Sequence, residues 1–375
     1  MNRKVPLCIP DMGDEEIAAV AEVIRSGWLA HGPQNHAFEE AFAKYLGVKH
    51  AVSLNSCASA LFLAIHAHGI KGEVILPSFT FVASANAVVA AGAKCVLVDV
   101  DYDTCNIAPR AIEAAITPRT EAIMPVHFGG HAADMEVISK IAAKHKLLVI
   151  EDSAEAIGAT QNGTKTGGWG TGCFSFYPTK NITTGEGGMF TTNDDALAAK
   201  VRAIAGHGIA SSTWAREKKD KPWLRAATFA GFNFRMSNLN AALGVVQMKK
   251  LDALNAARAK HAAQYSRLLD KTFFDLPVER TGYKHVWQMY TVKAKGFDRT
   301  KFLAKMRELN IGATVHFDPP VNTQPYYADA GFGKLDLPVT RRITESILTL
   351  PIYPQMTEDD VSWVAEQANE AAKMR

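Results

Sequence analysis

Four short runs of nearly unbroken apolar residues constrain this chain most: "EVILP" (73–77), "AKCVLVDVD" (93–101), "EAIMPVHF" (121–128) and "KLLVIEDS" (146–153). They are rich in Val and Ile, and helical patterns such as "DMEVISKIAAKHK" (134–146) lie between them. A strand that is apolar on both faces must have both faces covered. Runs of this kind with helices between them predict an α/β architecture around a mostly parallel sheet. "CFSFY" (173–177) and "GMFTT" (188–192) add strands without a long helix between them. "DEEIAAVAEVIRSG" (14–27) and "HAFEEAFAKYLG" (36–47) carry apolar residues at helical spacing.

From Ser237 the texture changes. Residues 237–271 hold a helical period for many turns without a proline, which predicts one long helix capped by Ser237 or Asn238 and leading into a second domain. Beyond it the pattern predicts a strand over 287–294, a helix near 300–309, a strand "GATVHF" (312–317) and a closing helix over 357–373. The expected division is a large domain over residues 1–250 and a smaller C-terminal domain over 251–375. A chain of 375 residues has room for two such cores.

Charge and cysteine usage narrow the class of function. The net charge is only +3, and the densest basic stretch, "REKKDKPWLR" (216–225), reads as a solvated loop or as a steering patch for an anionic substrate. The five cysteines are odd in number, scattered and without a CxxC pair. That argues against a disulfide framework or a zinc site and for a reducing compartment. The first sixteen residues lack an apolar signal-like core, and no run of ~18 apolar residues occurs, so a cytoplasmic enzyme without a membrane span is expected.

Three features lie where strands are expected to end, which is where ligands gather on an open parallel sheet. In "LNSCASALFLAIHAHG" (54–69), Asn55 and Ser56 read as an N-cap followed by small residues. The exposed N–H groups of such a helix hold a phosphate, although a plain capped helix looks the same. Asp152 closes a buried run, either as the cap of a following helix or as the partner of a cationic ring nitrogen. Lys180 follows "CFSFY" and precedes Gly185, Gly187 and Gly188, whose conformational freedom lets backbone approach a ligand closely. A lysine held there can form a Schiff base with an aldehyde. A phosphate cup, an acid for a ring nitrogen and a lysine for an aldehyde, in that order, are what pyridoxal 5′-phosphate requires.

The chain also resembles the DegT/DnrJ/EryC1/StrS family of nucleotide-sugar aminotransferases along nearly its whole length. The stretches that carry the resemblance include "SGWLAHGP" (26–33), "LPSFTFVASANAVVAAGA" (76–93), "PVHFGGHAADM" (125–135), "EDSAEAIGA" (151–159), "FSFYPTKNITTGEGGM" (174–189), "FNFRMSNLNAALGVVQMKKLD" (232–252) and "HFDPPVNTQPYY" (316–327). It implies a type I, aspartate aminotransferase-like fold. The large domain would hold the mostly parallel sheet, with a smaller C-terminal α/β domain beside it. Lys180 would bind the cofactor's aldehyde and move the proton, Asp152 would meet its ring nitrogen and Phe81 would cover the ring face. Ala58, Ser59 and Ser175 would hold the phosphate, and Asn233 would reach the phosphate of a second subunit in a homodimer. Glu155 stands where relatives often have Gln or His, next to the cofactor's phenolic oxygen, so the carboxylate is expected to be protonated or turned away. Cys57 and Ala58 replace a Gly-Thr pair, and Asn322 replaces a histidine, which leaves His316 as the substrate-side polar group beside Arg235. The activity implied is transfer of an amine from L-glutamate to a keto-sugar on a nucleotide diphosphate, for surface polysaccharide or secondary-metabolite amino sugars. A sugar dehydratase of the same family would carry histidine at position 180. A cofactor-binding sensor that keeps the fold without turnover is the remaining alternative.

Overall fold

The computed structural model describes residues 3–209, 223 and 225–374. In chain order its strands are β1 (His50–Leu54), β2 (Glu73–Pro77), β3 (Lys94–Val98), β4 (Thr120–Ile123), β5 (Leu148–Asp152), β6 (Thr160–Gln161), β7 (Thr164–Lys165), β8 (Thr171–Ser175), β9 (Gly188–Thr192), β10 (Phe274–Asp275), β11 (Tyr283–Lys284), β12 (Tyr290–Ala294) and β13 (Ile347–Leu350). Seven of them form the central sheet in the order β1-β9-β8-β5-β4-β2-β3. β3, β2, β4, β5 and β8 run parallel, and β9 runs antiparallel to both β8 and β1. Every residue of β2, β8 and β9 is buried, as the unbroken apolar runs require when helices cover both faces.

One face is covered by the Cys57–His68 helix, in which Ala60, Leu61, Leu63, Ala64 and Ile65 are all buried. They join a core that includes Leu76, Val88, Ile150, Phe190 and Val201. A second core lies where the Pro33–Leu46 helix brings Phe38 and Phe42 against Phe174 and Phe176. The predicted long helix spans Asn238–Leu268, and its cap is Ser237, whose hydroxyl accepts the Asn240 N–H at 3.1 Å. Gly244 in this helix sits against the Phe38 ring, where a Cβ would not fit.

The same helix carries Leu251 and Leu254 into the Phe38 core and Ala262 and Tyr265 into the C-terminal core of Phe274, Phe302, Val361 and Val364. The strand order there is β10-β12-β13. Val5, at the other end of the chain, belongs to this C-terminal core. Its N–H donates to Asn310 at 3.0 Å and its carbonyl accepts from Gly312 at 2.8 Å.

Several predicted strands are shorter in the structure: β12 begins at Tyr290 rather than Trp287, and β3 spans only Lys94–Val98. β4 ends at Ile123 rather than Phe128, because Pro125 has no N–H for the ladder, and pairing resumes only as a single bridge from Val126 to Asp152. "GATVHF" forms one antiparallel bridge, Thr314 to Thr349, before the chain turns at Pro319 and Pro320. Among the described residues no helix is long and apolar enough to cross a membrane.

Candidate active site

Asp152 ends β5, the middle strand of the sheet. Its backbone N–H donates to Pro125 at 2.9 Å and its carbonyl accepts from His127 at 3.1 Å. The carboxylate is buried. Oδ1 accepts the Ala154 N–H at 3.2 Å and Oδ2 accepts the Ser84 hydroxyl at 2.7 Å. No helix follows, so Asp152 caps a turn and not a helix. Burial pushes its pKa up from the usual range; the Ser84 and Ala154 hydrogen bonds oppose this, the Glu155 charge adds to it and the Lys180 charge opposes it.

Lys180 lies in the loop between β8 and β9. That loop is fixed from within: Thr183 Oγ1 donates to Phe176 O at 2.8 Å, and the Thr184 N–H donates to the same carbonyl at 3.0 Å. It is fixed from outside by Asn181 Nδ2, which donates to Asn255 Oδ1 at 2.7 Å and Val286 O at 2.9 Å. Between these anchors Lys180 is only 15% exposed, and its Nζ lies 3.6 Å from Glu155 Oε1. The other oxygen of Glu155 accepts the Gly129 N–H at 2.9 Å. The carboxylate is thus turned onto the lysine and a backbone donor.

The helix beginning at Cys57 is capped by Ser56, whose Oγ accepts the Ser59 N–H at 3.1 Å. Ser59 Oγ donates to Asn55 Oδ1 at 2.7 Å. The N–H groups of Cys57 and Ala58 stand at the first turn, where a helix offers no carbonyl to receive them. In the sheet register Gly188 pairs with Leu54 on one side and Ser175 on the other, so Ser175 is brought alongside this helix start. A Cβ at Gly188 would run into Ser56 and the Cys57 nitrogen; glycine is what lets the strand lie against the cup.

Phe81 follows β2 and is 61% exposed, with its ring 6.1 Å from that of Phe317. Phe317 in turn sits 5.9 Å from Phe79 and 6.1 Å from Phe128. Next to it, His316 Nδ1 is 2.8 Å from Thr349 Oγ1. Burial pushes the His316 pKa down, and the charges of Glu155 and Lys180 act on it in opposite directions, which places its ring on the same site. Asn322 is instead tied to the end of β2: Ser78 Oγ donates to its Oδ1 at 2.8 Å.

Asp152, Glu155, Lys180, Ser175, the Cys57–Ser59 turn and His316 are therefore gathered beyond the carboxyl ends of the sheet strands β1, β5 and β8. Arg235 is half-buried and bridges Leu54, just before the cup. Asn233 is exposed on a strip beyond edge strand β1, bridging Gly206. Of the basic stretch 216–225 all but Trp223 and Arg225 lie outside the described residues.

Ser84, Gly129 and Phe317 escape a reading of the sequence alone. A serine in the first turn of the Ala83–Ala90 helix looks like any other, and no pattern announces which backbone N–H will meet Glu155.

The donor set fits pyridoxal phosphate. Two first-turn N–H groups and the Ser59 and Ser175 hydroxyls suit a phosphate, the buried Asp152 carboxylate suits a protonated ring nitrogen, and Lys180 suits an aldehyde.

A family model described as the DegT/DnrJ/EryC1/StrS aminotransferase family matches residues 10–369. The spore coat polysaccharide biosynthesis protein SpsC of Bacillus subtilis (strain 168) is 40% identical over 382 residues, covering 99% of this chain and 98% of SpsC. Among solved structures, S. venezuelae DesV superposes with a TM-score of 0.90 at 33% identity over 99% of each chain. Helicobacter pylori PseC, an aminotransferase involved in the biosynthesis of pseudoaminic acid, superposes at 0.92 with 29% identity over 100% of each.

Proposed function

We propose, from the premise that this chain belongs to the DegT/DnrJ/EryC1/StrS aminotransferase family of pyridoxal-phosphate-dependent sugar aminotransferases, that it moves an amino group from L-glutamate to a keto-sugar linked to a nucleotide diphosphate. The observation that carries the reading is the placement of Lys180 Nζ, 3.6 Å from Glu155 in a pinned loop, beyond the same carboxyl ends of the strands as the Asp152 carboxylate and the Cys57–Ser59 turn. The cofactor, when bound, supplies an aldehyde for a primary amine and a ring that takes up electron density.

The residues supply the rest. The N–H groups of Cys57 and Ala58 and the hydroxyls of Ser59 and Ser175 bind the phosphate. Asp152 holds a proton at the ring nitrogen, and Phe81 covers the ring. Lys180 Nζ would move a proton between the donor's amino-bearing carbon and the carbon of the cofactor's aldehyde. Glu155 faces the lysine amine, 3.6 Å away, as its ion-pair partner. His316 and Arg235 meet the substrate, the latter through a guanidinium fork suited to phosphate or carboxylate. The name of SpsC supports an amino sugar destined for a polysaccharide.

We further read the active unit as a cytoplasmic homodimer in which Asn233 reaches the phosphate of the neighbouring site. Asn233 is exposed beyond edge strand β1, where a second copy can reach it.

The test is chemical. Borohydride reduction of the loaded protein should fix the cofactor on the peptide containing Lys180. A panel of nucleotide keto-sugars with glutamate should show turnover, and the free keto-sugar should react far more slowly, because binding of the remote nucleotide orients the ketone. Label on another lysine rejects the assignment of Lys180. Equal rates with free sugars or small keto acids reject the substrate class.

A further inference from the structure

Behind Asp152 lies a buried chain of hydroxyls with a defined direction. Ser84 Oγ is 2.7 Å from Asp152 Oδ2 and 3.0 Å from Thr80 Oγ1. Ser84 is 1% exposed and Thr80 3%. Two acceptors face the single proton of Ser84, the Asp152 carboxylate at 2.7 Å and the Phe81 carbonyl at 3.2 Å; the shorter contact, to an ionised group, takes it, and Thr80 then donates to Ser84. Phe81 lies between these two residues in sequence. The turn that carries the aromatic ring into the site therefore also carries the donors that hold the carboxylate. Each carboxylate oxygen keeps a further lone pair beyond those used by Ser84 and Ala154.

We propose that Ser84 is a positioning residue for the reaction: oriented by Thr80, its hydroxyl turns the Asp152 carboxylate toward the cofactor's ring nitrogen and keeps it ionised. The inference rests on the placement of Asp152 at that nitrogen given above. Burial works against the ionised form, and of the groups acting on Asp152 Ser84 opposes that penalty most strongly, ahead of the Ala154 N–H and the Lys180 charge. The other titratable groups that face Asp152 are Glu155, which follows it in the chain, Cys57 at the helix start and Cys173 on β8. Both thiols are pushed well above their usual range by burial and stay neutral. The Glu155 charge favours protonation of Asp152, and the Ser84 hydrogen bond opposes it.

Ser84→Ala removes the donor and leaves the carboxylate buried. The loaded enzyme should lose kcat about tenfold near neutral pH, and the acid limb of its pH profile should move up by about one unit. KM for the amino donor should stay as it was. The same upward shift should appear without turnover, in the pH titration of the bound cofactor's visible absorption. Ser84→Thr keeps the hydroxyl and should restore both. A folded, loaded S84A whose acid limb and absorption titration both coincide with wild type overturns the proposal. If S84A does not fold, Thr80→Val carries the test: Ser84 then loses the donor that orients it, a smaller shift in the same direction is expected, and none overturns the role. Asp152→Asn separates the two levels. An unchanged absorption titration in D152N removes Asp152 from the ring nitrogen altogether. A changed one, with S84A unchanged, removes only Ser84.

Discussion

Lys180 and Asn233 stand in opposite surroundings, and the contrast has a consequence that can be measured. Lys180 is enclosed within its own chain, 3.6 Å from Glu155. Asn233 is exposed on a strip bridging Gly206, outside edge strand β1. If Asn233 serves the neighbouring site, the two residues of one chain act in different sites of a dimer. Lys180→Ala is expected to cost roughly 1,000-fold in turnover, since it removes the group that moves the proton. Asn233→Ala is expected to weaken cofactor retention about tenfold, the worth of one hydrogen bond to a charged group. Mixing the two variants then makes hybrids with one doubly damaged site and one intact site. With random exchange roughly a quarter of wild-type activity should return, assayed at limiting cofactor. No return after proven subunit exchange places Asn233 outside the neighbour's site.

At the scale of the element, the end of β5 shows how two adjacent acids divide their tasks. Side chains alternate across a strand, so Glu151 points away from Asp152. Its carboxylate is fully buried and accepts the N–H groups of Gly167 at 2.7 Å, Trp169 at 2.8 Å and Gly170 at 2.9 Å. His127 Nε2 lies 3.1 Å away, and because His127 Nδ1 accepts the Ala133 N–H, it is Nε2 that carries the proton toward Glu151. Four donors converge on two oxygens, locking the loop before β8 to the end of β5. Glu151→Gln replaces one acceptor oxygen by an NH₂ facing N–H donors, and should cost about 2–4 kcal/mol in urea unfolding at fixed protein concentration. A loss below ~0.5 kcal/mol would show that the loop does not depend on this carboxylate. This network bears on what a reader of the sequence can see. Asp152 is legible because it closes a buried apolar run, Lys180 because it stands between such a run and a glycine-rich stretch, and the long helix because its period persists and Ser237 caps it. Glu151 and Ser84 are not. Their partners depend on which strands and helices end up adjacent, and the order β5-β4-β2 that brings the helix after β2 across to Asp152 is set by packing, not by local pattern. The two-residue strands β6 and β7 are too short to show a period at all.

At the scale of the whole molecule, the C-terminal segment is docked on the large sheet through a seam of backbone bonds and neutral histidines. The Val286 N–H donates to Gly130 at 3.0 Å and the Met289 N–H to Gly129 at 3.2 Å. Gly130 has φ of 106°, and a Cβ there would press on the Trp287 nitrogen, so the approach is open only to glycine. His131 lies in this seam, stacked on Tyr283 at 4.7 Å. Its Nδ1 donates to Ala132 O at 2.7 Å and its Nε2 accepts the Arg280 N–H at 3.4 Å. Both nitrogens are committed in the neutral form, and a second proton on Nε2 would face the Arg280 N–H. Burial pushes the His131 pKa down to about 4, and burial pushes His285, which meets His131 edge-on at 5.5 Å, down in the same direction. The sign follows from proton counting. Between pH 6.5 and 4 the unfolded chain binds a proton at His131 and the folded chain does not, so stability falls as pH falls through that window and this group adds no further loss below it. A shift of this size is worth about 3 kcal/mol in full. His131→Gln keeps a side chain that can donate to Ala132 and accept from Arg280 but cannot titrate. Relative to wild type it should reduce the protons taken up on unfolding near pH 5 by about one, read as a shallower dependence of urea-unfolding free energy on pH at constant protein concentration. The difference between the two proteins isolates this histidine from the others. If the two slopes are equal, His131 is not held neutral, and the docking of the C-terminal segment does not depend on its charge state.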